Sequence, residues 1–389
     1  MGDMPILPSQ RHLFDLPPHV AYLNCAYMGP LSNAVAAATH EGVDRKRHPW
    51  AVFPADFFTL ADQARHTFAR LLGAPATAED IALVPAASYG MAAAAANLPV
   101  RPGQTILVLA EEFPSTILTW RERARTAGAE LVTIPRPADH DWTAAILATI
   151  DDRTAVAALP AVHWIDGAAL DLVRVGTRLR QVGAALALDL TQSLGADPFP
   201  LAEVDPDFLV VAAYKWLLSP YSTGFLYVAP RHQNGRPLEH HWFGRAGAQD
   251  FGNLGYPDDF QRGARRFDVG EPANFALLPG VIAALEQILE WGVDRIAATA
   301  GAFTDAIATR ALPLGLTAVP ASLRARHYLG LKASDGLPAD LAASLTQRGV
   351  YISIRGGRTL RITPHVYNEW WEVERLFAVL EPAFGAPRP

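Results

Sequence analysis

Two charged residues stand where the sequence otherwise buries itself. Lys215 follows the apolar run 208–213 and precedes a loop with Ser219, Pro220, Ser222 and Gly224. Asp189 closes another apolar run, 185–188. A lysine at the end of a buried strand is a candidate amine nucleophile. An aspartate ending a neighbouring strand would complete a pairing: pyridoxal phosphate needs an amine for its Schiff base and an anion opposite its pyridinium nitrogen. Taken singly, the lysine also reads as an ion pair with the following loop and the aspartate as a strand-end helix cap. The pairing carries the expectation, and it requires a sheet that brings both residues to one edge.

Such a sheet is legible in the hydrophobic periodicity. Strands are predicted over 81–84, 105–109, 131–134, 155–159 and 185–188, separated by helical patterns over 91–96, 142–150 and 170–181 and by one that ends near Ala127 at Gly128. This alternation predicts an α/β fold, a mainly parallel sheet with helices on both faces. Ligands of such sheets lie beyond the carboxyl ends of the strands. Ser88, Phe113, His163, Asp189 and Lys215 all fall at or just past such ends. The small-residue turn 85–90 opens an alanine-rich helix, an arrangement that points free backbone amides at a phosphate; it also reads as plain packing, with Ser88 as a cap.

Residues 231–274 are too long for an ordinary connection and carry aromatics, so they read as a functional or interface loop. Beyond them a helix over 278–291, a strand around 327–331, a helix over 337–347, strands over 351–354 and 359–362 and a helix over 370–380 predict a smaller α+β domain. The expected organisation is an amino-terminal arm, 1–20, a large domain, 21–275, and a small carboxyl-terminal domain, 276–389.

Composition narrows the classes. Half of the 389 residues are apolar and 19% are charged, enough for a large core and against wholesale disorder. A net charge of −6 with scattered basic residues argues against nucleic acid as a partner. One cysteine, Cys25, excludes a disulfide framework and a multi-cysteine metal site within the chain and fits a reducing cytoplasm; no metal site is expected. The start MGDMPILPSQRH lacks a signal-peptide pattern, Ile6 stands where a myristoylation signal needs Ser or Thr, and no apolar run approaches the length of a membrane span. A soluble protein without a membrane partner is expected.

The motifs DLTQSLGA, AAYKW and GFLYV, within a stretch from YLNCAYMGPLS to RITPHVYNEWWEVERL, resemble those of class V aminotransferase-fold enzymes. These are fold type I pyridoxal-phosphate proteins related to cysteine desulfurases, kynureninase and isopenicillin-N-epimerase-like proteins. The resemblance implies that Lys215 holds the internal aldimine and later moves the α-proton, and that Asp189 faces the pyridine nitrogen. It implies Gln192 at the phenolic oxygen, Phe113 over the ring, and Ser88, Tyr89, Tyr214 and Trp242 toward the phosphate. Glu271, within 270–274, falls in a segment that a neighbouring subunit contributes, which implies a homodimer with shared active sites. Arg361 matches the clamp on the substrate α-carboxylate; Arg355 and Asn24 fall near the same site. Tyr27, Trp164 and His327 are expected to line the pocket beyond the cofactor.

Two departures and an absence mark this chain. His163 stands where desulfurases and kynureninase carry asparagine; it reads either as added acid-base capacity or as a satisfied core histidine. Asp166 stands where threonine is common. The stretch SIRGGRTLR lacks the loop cysteine that desulfurases use to take up sulfur, and Cys25 lies in the amino-terminal strand-turn. The expected activity is that of a pyridoxal-phosphate enzyme acting on an amino acid through an external aldimine, with C–S or C–C lyase chemistry free of a persulfide cysteine favoured over amino transfer or epimerisation. A catalytically silent scaffold of the same fold is the contrasting reading, opposed by the joint presence of Lys215, Asp189, Gln192 and Arg361. A nucleotide-dependent dehydrogenase would need G-x-G-x-x-G, which the chain lacks.

Overall fold

The computed structural model describes residues 6–252 and 255–385. The first five positions of the expected arm and the last four of the expected small domain lie outside the described residues. The strands are β1 (Ala21–Tyr22), β2 (Ile81–Val84), β3 (Thr105–Leu109), β4 (Glu130–Ile134), β5 (Thr154–Pro160), β6 (Ala185–Asp189), β7 (Phe208–Ala212), β8 (Gly224–Val228), β9 (Leu316–Ala318), β10 (Leu329–Ala333), β11 (Val350–Tyr351), β12 (Ser353–Arg355) and β13 (Thr359–Ile362). The α-helices are α1 (Asn33–Lys46), α2 (Asp56–Leu72), α3 (Ala87–Asn97), α4 (Pro114–Ala127), α5 (Trp142–Thr149), α6 (Leu172–Val182), α7 (Leu201–Val204), α8 (Leu278–Trp291), α9 (Val293–Ala311), α10 (Leu341–Gln347) and α11 (Trp370–Gly385). No helix among the described residues is long and apolar enough to cross a membrane.

Seven strands form the large sheet in the order β2-β8-β7-β6-β5-β3-β4, and β8 alone runs against its neighbours. The mainly parallel α/β sheet read from the sequence is therefore present. Its strands are apolar on both faces because each face has its own core, as period-two side chains require. Leu107, Leu159 and Leu209 join Phe68 of α2 and Leu179 of α6 on one side. Val108, Val156 and Val210 join Met91 of α3 and Trp120 of α4 on the other. Small residues let α3 lie close to the sheet: a Cβ at Gly90 would fall 2.4 Å from Val210 Cγ2. That helix begins at Ala87, a turn earlier than the sequence predicts, because no capping side chain marks its start.

The small domain is a four-stranded antiparallel sheet, β12-β13-β10-β9, packed with α9, α10 and α11. Both expected boundaries move. β1 pairs in parallel with β11, and Ala21 and Leu23 share a core with Phe303, Ile362 and Phe377, so residues expected to open the large domain belong with the small one. Conversely, Leu278, Val281, Leu285 and Ile288 of α8 pack into the core of the large sheet. Helix α9 was not legible as a separate element; it begins where Gly292, at φ 78°, breaks the chain after α8. The described part of the arm packs on both domains of its own chain: Leu7 and Phe14 join the core of the large sheet, while the Leu7 amide donates to Thr299 Oγ1 at 2.8 Å and Arg11 pairs with buried Glu372 at 2.8 Å.

Candidate active site

The carboxyl ends of β5, β6 and β7 and the starts of α3 and α4 enclose a cavity of about 380 Å³. Ser88, Phe113, Asp189, Gln192, Tyr214 and Lys215 all line it, so one pocket gathers the lysine, the aspartate and four more of the residues read from the sequence, whereas Arg361, Arg355 and Asn24 do not line it. Lys215 is 7% exposed, three residues past the end of β7. Among the described residues its Nζ has no ion-pair partner; it lies 5.4 Å from the Phe113 ring centre and 5.6 Å from that of Tyr214. Burial pushes its pKa down to about 8, opposed by the Asp189 carboxylate and reinforced by the Arg361 and Arg355 guanidiniums. A neutral, nucleophilic amine is thus accessible near neutral pH. The backbone behind it is held from the amino-terminal segment: Gly29 N–H donates to Tyr214 O at 2.9 Å, and a Cβ at Gly29 would fall 2.2 Å from Lys215 O. Cys25 Sγ also reaches Lys215 O, at 3.6 Å.

Asp189 ends β6, directly between Pro160 of β5 and Val210 of β7. Burial raises its pKa, while hydrogen bonds from Thr191, one of them a 2.9 Å bond from the backbone N–H, and the Lys215 charge oppose the rise. The Gln192 amide is oriented by its neighbours. Trp216 Nε1–H can only donate, and it meets Oε1 at 3.0 Å; Nε2 therefore points the other way, giving one hydrogen to Ala26 O at 3.2 Å and keeping a second. His327 is buried behind this residue, donating to Gln192 O at 2.7 Å, and does not line the cavity. Trp164 does, with its ring edge-on to Phe113 at 5.7 Å, whereas Tyr27 is 57% exposed and stands outside.

Ala86 caps α3 without a side-chain hydrogen bond, and among the described residues no acceptor meets the backbone N–H of Ala87 or Ser88. These amides open on the cavity at a helix start, where the helix dipole favours an anion. Tyr89 turns aside, its hydroxyl on Asp268 O at 3.3 Å. Trp242 packs instead with Phe57, Phe58, Phe243 and Phe251, and Glu271 lines a different depression. Neither reaches the cavity within one chain.

Arg361, on β13, is 1% exposed and has no carboxylate partner among the described residues. Its Nη1 donates to Trp164 O at 3.2 Å and its Nη2 to Ser353 Oγ at 3.3 Å, while Nε is buried without an acceptor. Asn24 enters one bond further back, accepting from Ser353 Oγ at 2.8 Å. A buried guanidinium without a counter-ion is costly unless an anion arrives.

His163 is not brought into the cavity. It is fully buried and stacked on Trp142 at 5.2 Å, with Nε2 on Ala110 O at 3.2 Å and Nδ1 facing Ile165 N–H, Asp166 and Arg136. Of its two readings, the satisfied core histidine is the one the geometry supports. Asp166 is bound by Arg136, and its carboxyl is held well below the usual range by His163 and Arg136 against the opposing effect of burial.

One residue in the cavity wall had no distinguishing sequence signal. Glu112 is 8% exposed; its Oε1 accepts from Phe113 N–H and its Oε2 is buried without a partner. Glu111 just before it adopts φ 58°, the left-handed region, which turns the Glu112 side chain inward. Burial, reinforced by Asp189 and opposed by His163 and Phe113 N–H, raises the Glu112 pKa to about 7 from an ordinary 4.5. The folded chain therefore holds a proton that the unfolded chain has released between those values. Stability contributed by this group falls as pH rises from about 4.5 to about 7, by roughly 3 kcal/mol. In Glu112→Gln the fall in stability across this window is expected to shrink by that share, the rest coming from Glu372 and Asp268, whose pKa values burial also raises, read from denaturant midpoints; parallel curves for the two proteins would show Glu112 ionised in the fold.

A family profile described as "Aminotransferase class-V" matches residues 43–376. The chain belongs to the class V aminotransferase family. It is thereby a pyridoxal-phosphate enzyme of the fold type I architecture. An uncharacterized aminotransferase, YcbU, of Bacillus subtilis (strain 168) is 26% identical, covering 93% of this chain and 94% of that protein. A cysteine desulfurase of Escherichia fergusonii is 28% identical over 76% of this chain and 72% of its own, and a kynureninase of Shouchella clausii (strain KSM-K16) 24% identical over 88% and 80%. Among solved structures, a cysteine desulfurase from Thermococcus onnurineus NA1 superposes with a TM-score of 0.85 at 20% identity, covering 98% of this chain and 100% of that one. The cystine C–S lyase C-DES, solved with glycine linked to its pyridoxal-phosphate cofactor, reaches 0.81 at 19% identity, over 95% and 98%.

The class V site in this chain fits its cofactor on its own observations. The free Ala87 and Ser88 amides suit a phosphate, the Phe113 face suits an aromatic ring, and half-buried Asp189, which has no salt bridge among the described residues, suits a protonated pyridine nitrogen. The spare Gln192 N–H suits a phenolic oxygen.

Proposed function

We propose that this class V enzyme cleaves a C–S or C–C bond of an amino acid without passing sulfur to a cysteine of its own. The observation that carries this reading is the placement of Cys25, the one cysteine in the chain: it is fully buried, its thiol pKa is pushed up by burial, and its sulfur faces the Lys215 backbone. It has neither the exposure nor the thiolate character of a sulfur acceptor. Relatives named cysteine desulfurase and kynureninase support bond cleavage.

Pyridoxal phosphate, when bound, supplies an electron sink for the pair released when a bond to the substrate Cα breaks. The chain's residues do the rest. Lys215 provides the amine that holds the cofactor and, once freed, takes the Cα proton. Asp189 keeps a proton on the ring nitrogen, Gln192 donates to the phenolic oxygen, and the start of α3 with Ser88 and Tyr214 binds the phosphate. Phe113 covers the ring and excludes water. Arg361 binds the substrate α-carboxylate with a planar fork.

We also propose a cytoplasmic homodimer whose subunits complete each other's sites. Trp50, Phe53, Trp242 and Phe251 are exposed at 76, 62, 43 and 45%, apolar surface consistent with burial against a second copy, and neither Trp242 nor Glu271 lines the cavity of its own chain. Light scattering on the purified protein tests this directly.

Amino transfer is the second reading, favoured by the full-length similarity to YcbU. Incubating the enzyme with amino-acid panels and following keto acid, alanine, released sulfur and the amine form of the cofactor separates the two. Products released while the cofactor keeps its lysine-bound absorption are expected; accumulation of the amine form would sink the lyase reading.

A further inference from the structure

Beyond Trp164 lies a second cavity of about 590 Å³, walled on one side by the large domain and on the other by the four-stranded sheet of the small one. Four cations line it, Arg136, Lys332, Arg355 and Arg358, against two carboxylates, Glu111 and Asp166. Arg136 occupies both acids, pairing with Glu111 at 2.7 Å and with Asp166. Among the described residues the three small-domain cations have no salt bridge, so that wall carries positive charge without an internal counter-ion.

The strand register sets these cations in sequence. Arg361 of β13 faces Ser353 of β12 and Gly330 of β10; one step outward, Thr359 faces Arg355 and Lys332. Directly opposite residues share a sheet face, as do residues two apart on one strand, so Arg361, Arg355 and Lys332 stand on the same face. A Cβ at Gly330 would fall 2.5 Å from Asp166 Cα, which fixes that face as the one turned to the large domain. Arg355 spans the two cavities. It lines the outer one, its guanidinium lies 5.6 Å from the ring centre of Trp164, which lines the inner one, and its charge acts on Lys215. It is not merely solvated: its Nε is buried without an acceptor, and its Nη1 finds only the neighbouring Ile354 O, at 3.1 Å.

A monocarboxylic amino acid would use Arg361 and leave Arg355 unsatisfied. We propose that the substrate is an acidic amino acid, with a second anionic group on its side chain that Arg355 binds and that Lys332 and Arg358 attract from the outer cavity. This rests on the reading of Arg361 as the α-carboxylate site. A planar guanidinium held over an indole face keeps donors free for a second carboxylate, and Arg355 lies 5.6 Å from the Trp164 ring centre. The outer cations raise the local concentration of a substrate with a net negative charge, an effect that salt screens.

The test uses isosteric pairs on the holoenzyme: L-aspartate against L-asparagine and L-glutamate against L-glutamine, each titrated through the change in visible absorption and repeated at low and high salt. For at least one pair the acid is expected to bind about tenfold more tightly than its amide or better, with the advantage shrinking as salt rises. Arg355→Gln is expected to remove most of that advantage, and Arg355→Lys to restore part of it. Acids and amides binding alike would overturn the inference. So would an Arg355→Gln variant that weakens both members of a pair equally, since Arg355 would then serve the α-carboxylate. Failure of the purified protein to show any lysine-bound cofactor absorption refutes the enzymatic reading instead, before any pair is compared.

Discussion

Lys215→Ala is expected to lower turnover by about 10³-fold or more and to abolish the borohydride-reducible bond between protein and cofactor. The size of the effect follows from the surroundings of the amine. Its neutral form is accessible because burial and two guanidiniums depress its pKa to about 8 against the pull of Asp189. No described neighbour offers a replacement: the chain has another lysine at Lys332 in the outer cavity and one at Lys46 on α1, and neither lines the inner pocket. Loss of activity with the reducible bond intact would mean that another amine carries the cofactor. Cofactor retained without covalent attachment is expected in the variant, since the start of α3, Phe113 and Asp189 remain.

Arg361→Ala is expected to raise the apparent KM for amino-acid substrates by about 30-fold or more while leaving the cofactor absorption unchanged. Removing one partner of a buried, hydrogen-bonded charge pair costs about 2–5 kcal/mol. On the proposed reading the pair is completed only by the substrate, so the cost is expected to appear in binding. The free protein is spared an orphaned carboxylate, because none faces Arg361. Arg361→Lys keeps the charge and loses the fork, so an intermediate KM distinguishes geometry from charge. A changed cofactor spectrum with an unaltered KM would assign Arg361 to the cofactor side.

The same pocket shows what a sequence can disclose. Lys215, Asp189, Phe113 and Ser88 were legible because each sits at or just past a strand end, and strand ends in an α/β sheet converge; Gln192 was legible only by resemblance. β3 and β13 were read to the residue, since short apolar runs between turn residues leave little freedom. His163 misled because sequence position gives the end of β5 but not the direction of the ring, which Trp142 captures from another element. Glu112 escaped for a related reason: only the left-handed turn at Glu111 sends it inward, and a non-glycine residue gives no warning of that conformation. Trp242 was assigned to the phosphate and Glu271 to a segment from a neighbouring subunit by resemblance, and within one chain neither lines the cavity. The domain boundaries moved because parallel pairing of β1 with β11 links segments that no local pattern connects.

That pairing bears on the order in which the enzyme is made. Gly29 and Cys25 brace the backbone of Lys215, and the strand just before them, β1, is anchored by β11 near the opposite end of the chain. During synthesis the sheet and its lysine emerge and can pack while the brace waits for a partner still inside the ribosome. Lys215 is therefore translated well before the strand that anchors its brace, so a chain terminated ahead of β11 carries the amine without the anchored wall behind it.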